Sequence, residues 1–217
     1  MEPVHVFSIF AVFVVISLIV GHFSSKKRRQ MLEEWARASG MIFSPDKDRR
    51  FHKEFPLPCF DRGRSRYAHN LCAGERSAYK VMAGDYHYTT GSGKSKRTHR
   101  FSFFFFQPAF PLREFTLRPE NTFDKLTAAF GFDDIDFESV EFSDAFHVSS
   151  EDKKWAYDIL TPRNMELLLT RPEIHLQSDP SGLVIRTAEI WDIAEFESFA
   201  DYAAAFLDGI PNHIRRA

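Results

Sequence analysis

Apolar positions change their period along this chain, and each change predicts a different element. Val4 to Phe23 is an apolar run of 20 residues, broken only by small or weakly polar positions such as Ser8, Ser17 and Gly21 and by His5 and His22 near its ends. A helix of that length, at about 1.5 Å per residue, covers the roughly 30 Å hydrocarbon layer of a membrane. Lys26-Lys27-Arg28-Arg29 follows, and then Met31, Leu32, Trp35, Ala36 and Ala38 recur at helical spacing up to a stop at Gly40. Residues 45–56 are charged and proline-bearing, the pattern of a connector. Strand patterns come next, over Arg64–Ala73, Ala78–Thr90 and Thr98–Gln107. In the last of these, Phe101, Phe103 and Phe105 share one face while Phe104 and Phe106 share the other. A strand apolar on both faces predicts a central position in a sheet covered on both sides.

The distal half mixes the two periods. Glu114–Arg118 reads as a further strand, and Asn121 caps an expected helix with Phe123, Leu126 and Phe130 inward and Gly131 at its end. Ile135 and Phe137 alternate with carboxylates, and Phe142–Val148 reads as another strand. Ser150 is expected to cap a helix carrying Trp155, Ala156 and Ile159. Thr161-Pro162 opens the next, with Met165, Leu168 and Leu169 inward. Asp179-Pro180-Ser181-Gly182 joins two strand patterns as a hairpin turn. Asp192 and Glu195 then start a helix with a stripe of Phe196, Phe199, Ala203, Phe206, Leu207 and Ile210.

A cleavable leader needs positive charge before its apolar run, whereas here Glu2 precedes it and the basic cluster follows. The pattern therefore predicts a retained anchor. Lys and Arg beside a span stay on the cytoplasmic side, which places the N-terminus outside and the rest in the cytoplasm. Cys59 and Cys72, with no framework of paired spacings, fit a reducing compartment. The expected fold class is α+β: an N-terminal transmembrane helix, then one cytoplasmic domain with a mainly antiparallel sheet and packed helices. The expected boundaries are 1–25 for the anchor, 26–56 for a basic juxtamembrane helix and connector, and 57–217 for a soluble α+β domain.

Charge sharpens the expectation. Residues 30–113 carry 15 Lys and Arg against 8 Asp and Glu, a net of +7, while residues 114–217 carry 9 against 21, a net of −12. Anionic headgroups attract basic residues near a membrane surface, by about 1 kcal/mol each. The candidate contacts for anionic lipid are Lys26, Lys27, Arg28, Arg29, Arg62, Arg64, Arg66, Lys94, Lys96 and Arg97. Arg62, Arg64 and Arg66 alternate, so an extended chain turns all three one way. A solvated polar face is the plainer reading of the same residues. The acidic balance of the body argues against a nucleic-acid partner.

Catalytic signatures are not found. Gly91-Ser92-Gly93-Lys94-Ser95 looks like the end of a phosphate-binding loop, but Tyr88 stands where its first glycine belongs and a strand pattern follows instead of a helix. A hairpin loop is the better reading. Asp133, Asp134, Asp136, Glu138, Glu141 and Asp144 are rich in oxygen but lack the spacing of a calcium loop. No pair of histidines has the spacing of a helical metal site, and no nucleophile elbow occurs. No catalytic, cofactor-binding or metal-binding residues are therefore assigned.

The stretches Leu117-Arg118-Pro119-Glu120, Asp124-Lys125-Leu126, Phe132-Asp133-Asp134-Ile135-Asp136-Phe137-Glu138-Ser139 and Trp155-Ala156-Tyr157-Asp158-Ile159-Leu160-Thr161-Pro162 resemble a group of bacterial single-pass membrane proteins of unassigned activity. The resemblance spans roughly Arg66–Leu169 and implies a bacterial inner-membrane protein, without an activity or a site. The function expected is that of a membrane-anchored interaction or accessory domain in a membrane-associated assembly. Its partners would be membrane lipids and another membrane or membrane-associated protein. A membrane-bound hydrolase or transferase, or an anionic-lipid-binding module, is the alternative.

Overall fold

The computed structural model describes residues 25–77, 79–120, 135 and 137–216. Its frame is one eight-stranded antiparallel sheet in the order β1-β2-β3-β4-β8-β7-β5-β6. The strands are β1 (Ile42–Ser44), β2 (Arg64–Arg76), β3 (Tyr79–Thr90), β4 (Arg97–Gln107), β5 (Phe115–Pro119), β6 (Phe146–Ser150), β7 (His175–Asp179) and β8 (Gly182–Arg186). The helices are α1 (25–38), α2 (Phe51–Glu54), α3 (Val140–Ala145), α4 (Lys153–Ile159), α5 (Pro162–Leu169), α6 (Ile193–Asp208) and α7 (Asn212–Arg215). β4 lies inside the sheet between β3 and β8, as its phenylalanine run requires.

Strand alternation divides the core in two. One face presents Val81, Ala83, Phe104, Phe106, Leu176, Leu183 and Ile185 to α1 and α6, with the shorter α3, α4 and α5 completing the layer. The other presents Tyr86, Tyr88, Phe101, Phe103, Phe105 and Val184 to Phe51, Leu57, Cys59 and Phe60 from the segment before β2. Residues 26–56 thus contribute to both cores: Leu32, Trp35 and Ala36 of α1 pack on the first face, and Phe51 on the second.

Several ends follow their local chemistry. Asp192 and Glu195 close a capping box at the start of α6, and the Thr161 hydroxyl accepts from Asn164 N (3.2 Å) at the start of α5. The β3–β4 loop is a hairpin with a single 3-10 turn over Gly93–Ser95; Gly91 (φ +68°) and Gly93 (φ +52°) take left-handed conformations there. Elsewhere tertiary context prevails. Val140–Ala145 is helical, capped by the Ser139 hydroxyl accepting from Phe142 N (3.3 Å), and only Phe146–Ser150 is extended, where a strand over Phe142–Val148 was expected. Ser150 belongs to β6 and donates to Glu114 O (2.6 Å), so Asp152, not Ser150, caps α4.

The main correction concerns the membrane. Among the described residues no helix is long and apolar enough to cross one. α1 spans only about 21 Å over its described residues and carries Lys26, Lys27, Arg28 and Arg29; α6 has 16 residues, with Glu195, Glu197, Asp201 and Asp208 among them. The run Val4–Phe23 lies outside the described residues. The lack of a crossing helix among the described residues overturns the expected transmembrane helix and, with it, the single-pass location in the bacterial inner membrane, the outward N-terminus and the cytoplasmic body. The helix expected from Asn121 and the positions Asp133, Asp134 and Asp136 also lie outside the described residues.

Candidate anion-binding site

Two arginines enter the body from opposite faces of the sheet. Arg28, on α1, meets the first face. Its Nε donates to Asp85 Oδ2 (2.7 Å), its Nη2 to Asp85 Oδ1 (2.6 Å) and its Nη1 to Trp191 O (2.7 Å). Asp85, on β3, is 0 % exposed and also accepts from Asn70 Nδ2 (3.0 Å) and Ser102 Oγ (2.7 Å). Asn70 reaches it from an irregularity in β2 where φ is +53°, a conformation asparagine tolerates better than most residues. This paired, fully bonded knot clamps α1 to the sheet.

Arg186, at the end of β8, enters the second face, where the covering segment runs out. Leu57, Cys59 and Phe60 lie flat on the aromatic floor, and the chain then turns at Gly63. A side chain there would meet Thr89 O at 2.3 Å, so the chain can approach β3 this closely only because the residue is glycine. Beyond that edge lies a half-open cavity of about 300 Å³, walled by Arg62, Tyr88, His99, Arg100, His175 and Arg186 among others.

Register brings these groups together. Arg186 pairs with Phe103 across β4 and with His175 across β7, and Tyr88 pairs with His99 across the β3–β4 hairpin. The Tyr88 and His99 rings stack with centroids 4.6 Å apart, and His99 Nε2 lies 2.8 Å from Thr90 Oγ1. The Arg62 guanidinium sits 5.8 Å from the Tyr88 ring, and that of Arg186 sits 4.9 Å from the Phe101 ring.

Arg186 is only 8 % exposed, and its Nη1 donates to Thr187 O (3.2 Å). Its Nε is buried without a partner, and among the described residues no carboxylate pairs with it. Among the described residues none that lines the cavity is acidic. Burial is the largest influence on its pKa and draws it down.

The neighbouring titratable groups are held neutral. His175 (9 % exposed) is pulled down to about 2, first by burial and then by Arg186, Arg62 and Arg118. The Cys59 thiol is pushed up to about 12, with burial outweighing the opposing pull of Arg186, while its backbone N donates to Gln177 Oε1 (2.9 Å). Near neutral pH the cavity therefore presents guanidinium cations and the neutral imidazole of His175, with the unreactive Cys59 thiol buried behind Arg186. Such a set can bind negative charge. Neither His175 nor Cys59 is poised to exchange a proton or attack a substrate, which calls for a pKa near the working pH.

The ten basic positions singled out by pattern do not converge. Arg62 alone lines this cavity. Arg64 donates to Gly91 O, and Arg66 pairs with Asp61. Arg28 is committed to Asp85 on the opposite face. Lys26, Lys27 and Arg29 are exposed on α1, and Lys94, Lys96 and Arg97 are exposed at the β3–β4 hairpin. Pattern reading missed Arg186 and His175. The signal available was parity, since Arg186 stands two residues after Val184 and so shares its buried face. Among the described residues no group of three or more His, Cys, Asp or Glu is placed to hold a metal ion.

Comparison with known proteins reaches the fold. No protein-family model matches the chain, and no curated protein does either. A solved structure, that of the mycobacterial trehalose monomycolate transport factor A (TtfA), is similar at a TM-score of 0.61 with 10 % sequence identity. The similarity covers 84 % of this chain and 96 % of that one. At that identity the two share a fold.

Proposed function

We propose that this chain is an accessory domain of a membrane-associated assembly and that it works by binding rather than by catalysis. The observation that carries the reading is the state of the cavity: guanidinium groups beside an imidazole and a thiol that burial holds neutral. A hydrolase or transferase site would be expected to tune such groups toward neutrality instead of away from it. Likeness in fold to a protein titled a transport factor supports the membrane-associated setting. The test is quantitative affinity purification of the full chain from membranes solubilised in mild detergent. A membrane protein should co-purify at fixed stoichiometry, and equally with Cys59→Ser, whose thiol has no chemical step to perform. Repeated recovery of the chain alone would overturn the assembly, and dependence of a turnover on Cys59 or His175 would overturn the binding role.

A further inference from the structure

We infer that the cavity walled by Arg62, His175 and Arg186 is a binding site for a single phosphate group, presented on a lipid headgroup or on a water-soluble phosphate ester. The inference rests on reading this cavity as a binding site, and it names what the site takes.

Four features point to phosphate. First, Arg186 is a buried cation whose Nε has no partner and which among the described residues has no carboxylate to neutralise it. A guanidinium withdrawn from water in this way favours a counter-anion in the adjoining space. Second, Arg100 and Arg62 line the same cavity and among the described residues no acidic one does, an arrangement that suits a doubly charged anion better than a singly charged carboxylate. Third, guanidinium forks match the spacing of phosphate oxygens, and the neutral His175 ring keeps one N–H to donate. Fourth, about 300 Å³ exceeds what a bare phosphate needs, and Tyr88 and Phe101 give the remaining space an aromatic wall against which the rest of an ester can lie.

The device that completes the site is the turn at Gly63. It brings Arg62 beside Tyr88 at the mouth while Arg186 stays at the base. A ligand would thus lie between the buried Arg186 and the half-exposed Arg62.

Calorimetric titration of the full chain with inorganic phosphate tests the site, and flotation with vesicles of phosphatidylcholine, with and without phosphatidic acid, tests the source. Phosphate should bind and raise the melting temperature, and Arg186→Met should weaken binding by about thirtyfold or more. Arg62→Gln, at a half-exposed position, should weaken it by a smaller factor, so the inference stays open to refutation if Arg186→Met fails to fold. Lys96→Gln on the exposed hairpin should leave phosphate affinity unchanged. Capture by phosphatidic acid vesicles that Arg186→Met abolishes assigns the phosphate to lipid. Phosphate binding without vesicle capture assigns it to a soluble ester. No phosphate binding, or equal binding by the wild type and both arginine variants, overturns the inference. Phosphate binding with no co-purifying partner would sink the accessory role and leave this site standing, whereas a partner without phosphate binding would sink this site alone.

Discussion

Arg28 and Arg186 are the same side chain placed on opposite faces of one sheet, and the protein treats them differently. Arg28 meets a carboxylate, two side chains that brace that carboxylate, and a backbone carbonyl. Arg186 meets an aromatic ring, one backbone carbonyl, the neutral Cys59 thiol and a space. A buried ion pair with every lone pair satisfied specifies one way for α1 to dock, and losing either member leaves the other stranded. A buried cation with no carboxylate opposite it among the described residues is a cost to the folded state. If Arg186 holds an anion, the difference separates a structural charge from a binding one.

The comparison breaks most visibly at Arg28. Arg28→Ala strands the Asp85 carboxylate at 0 % exposure, and chemical denaturation should show a loss of about 3–5 kcal/mol. Asp85→Ala should cost less, about 1–3 kcal/mol, because the Arg28 side chain is 23 % exposed and can turn to water, leaving mainly Asn70 and Ser102 short of a partner. Equal losses in the two variants would mean that the knot is not asymmetric as drawn. On the other face the sign should reverse. Arg186→Met replaces an unpaired buried cation with an apolar side chain of similar length, and its unfolding free energy in phosphate-free buffer should rise by about 1–2 kcal/mol. A loss as large as that of Arg28→Ala would show that Arg186 has a structural partner.

The smallest effect is on pH. His175 stays neutral in the folded state down to a pKa of about 2, whereas in the unfolded chain it takes a proton near its ordinary value of about 6.5. Below that value the unfolded state binds a proton that the folded state refuses, so stability is retained above about pH 6.5 and lost as pH falls. Burial also lowers the His69 pKa, which adds to the effect in the same direction. Between pH 7 and pH 5.5 the wild type should therefore lose about 1 kcal/mol more than His175→Gln. Parallel curves for the two proteins would place His175 in water.

Much of the frame was legible because it rests on local rules. The doubly apolar β4, the turn at Asp179-Pro180-Ser181-Gly182 and the box of Asp192 with Glu195 each state their structure within a few residues. The segment around Phe142 did not, since a short apolar stretch fits a helix or a strand and only the Ser139 cap and the packing of Phe142 against Phe146 decide it. The basic residues were legible as charges and illegible as a site. Clustering along the chain selected hairpin and α1 lysines that end on the surface, while the two site residues Arg186 and His175 belong to neighbouring strands in a part of the chain that is acidic on balance.

Periodicity and capping were enough to establish many of the extended and helical segments and the strand buried on both sides, because those preferences act between residues a few positions apart. Whether a given arginine meets a carboxylate or an open cavity was settled by strand order and by where the cover over the second face stops. Both are long-range facts, set by which buried surfaces fit together, and no stretch of neighbouring residues encodes them.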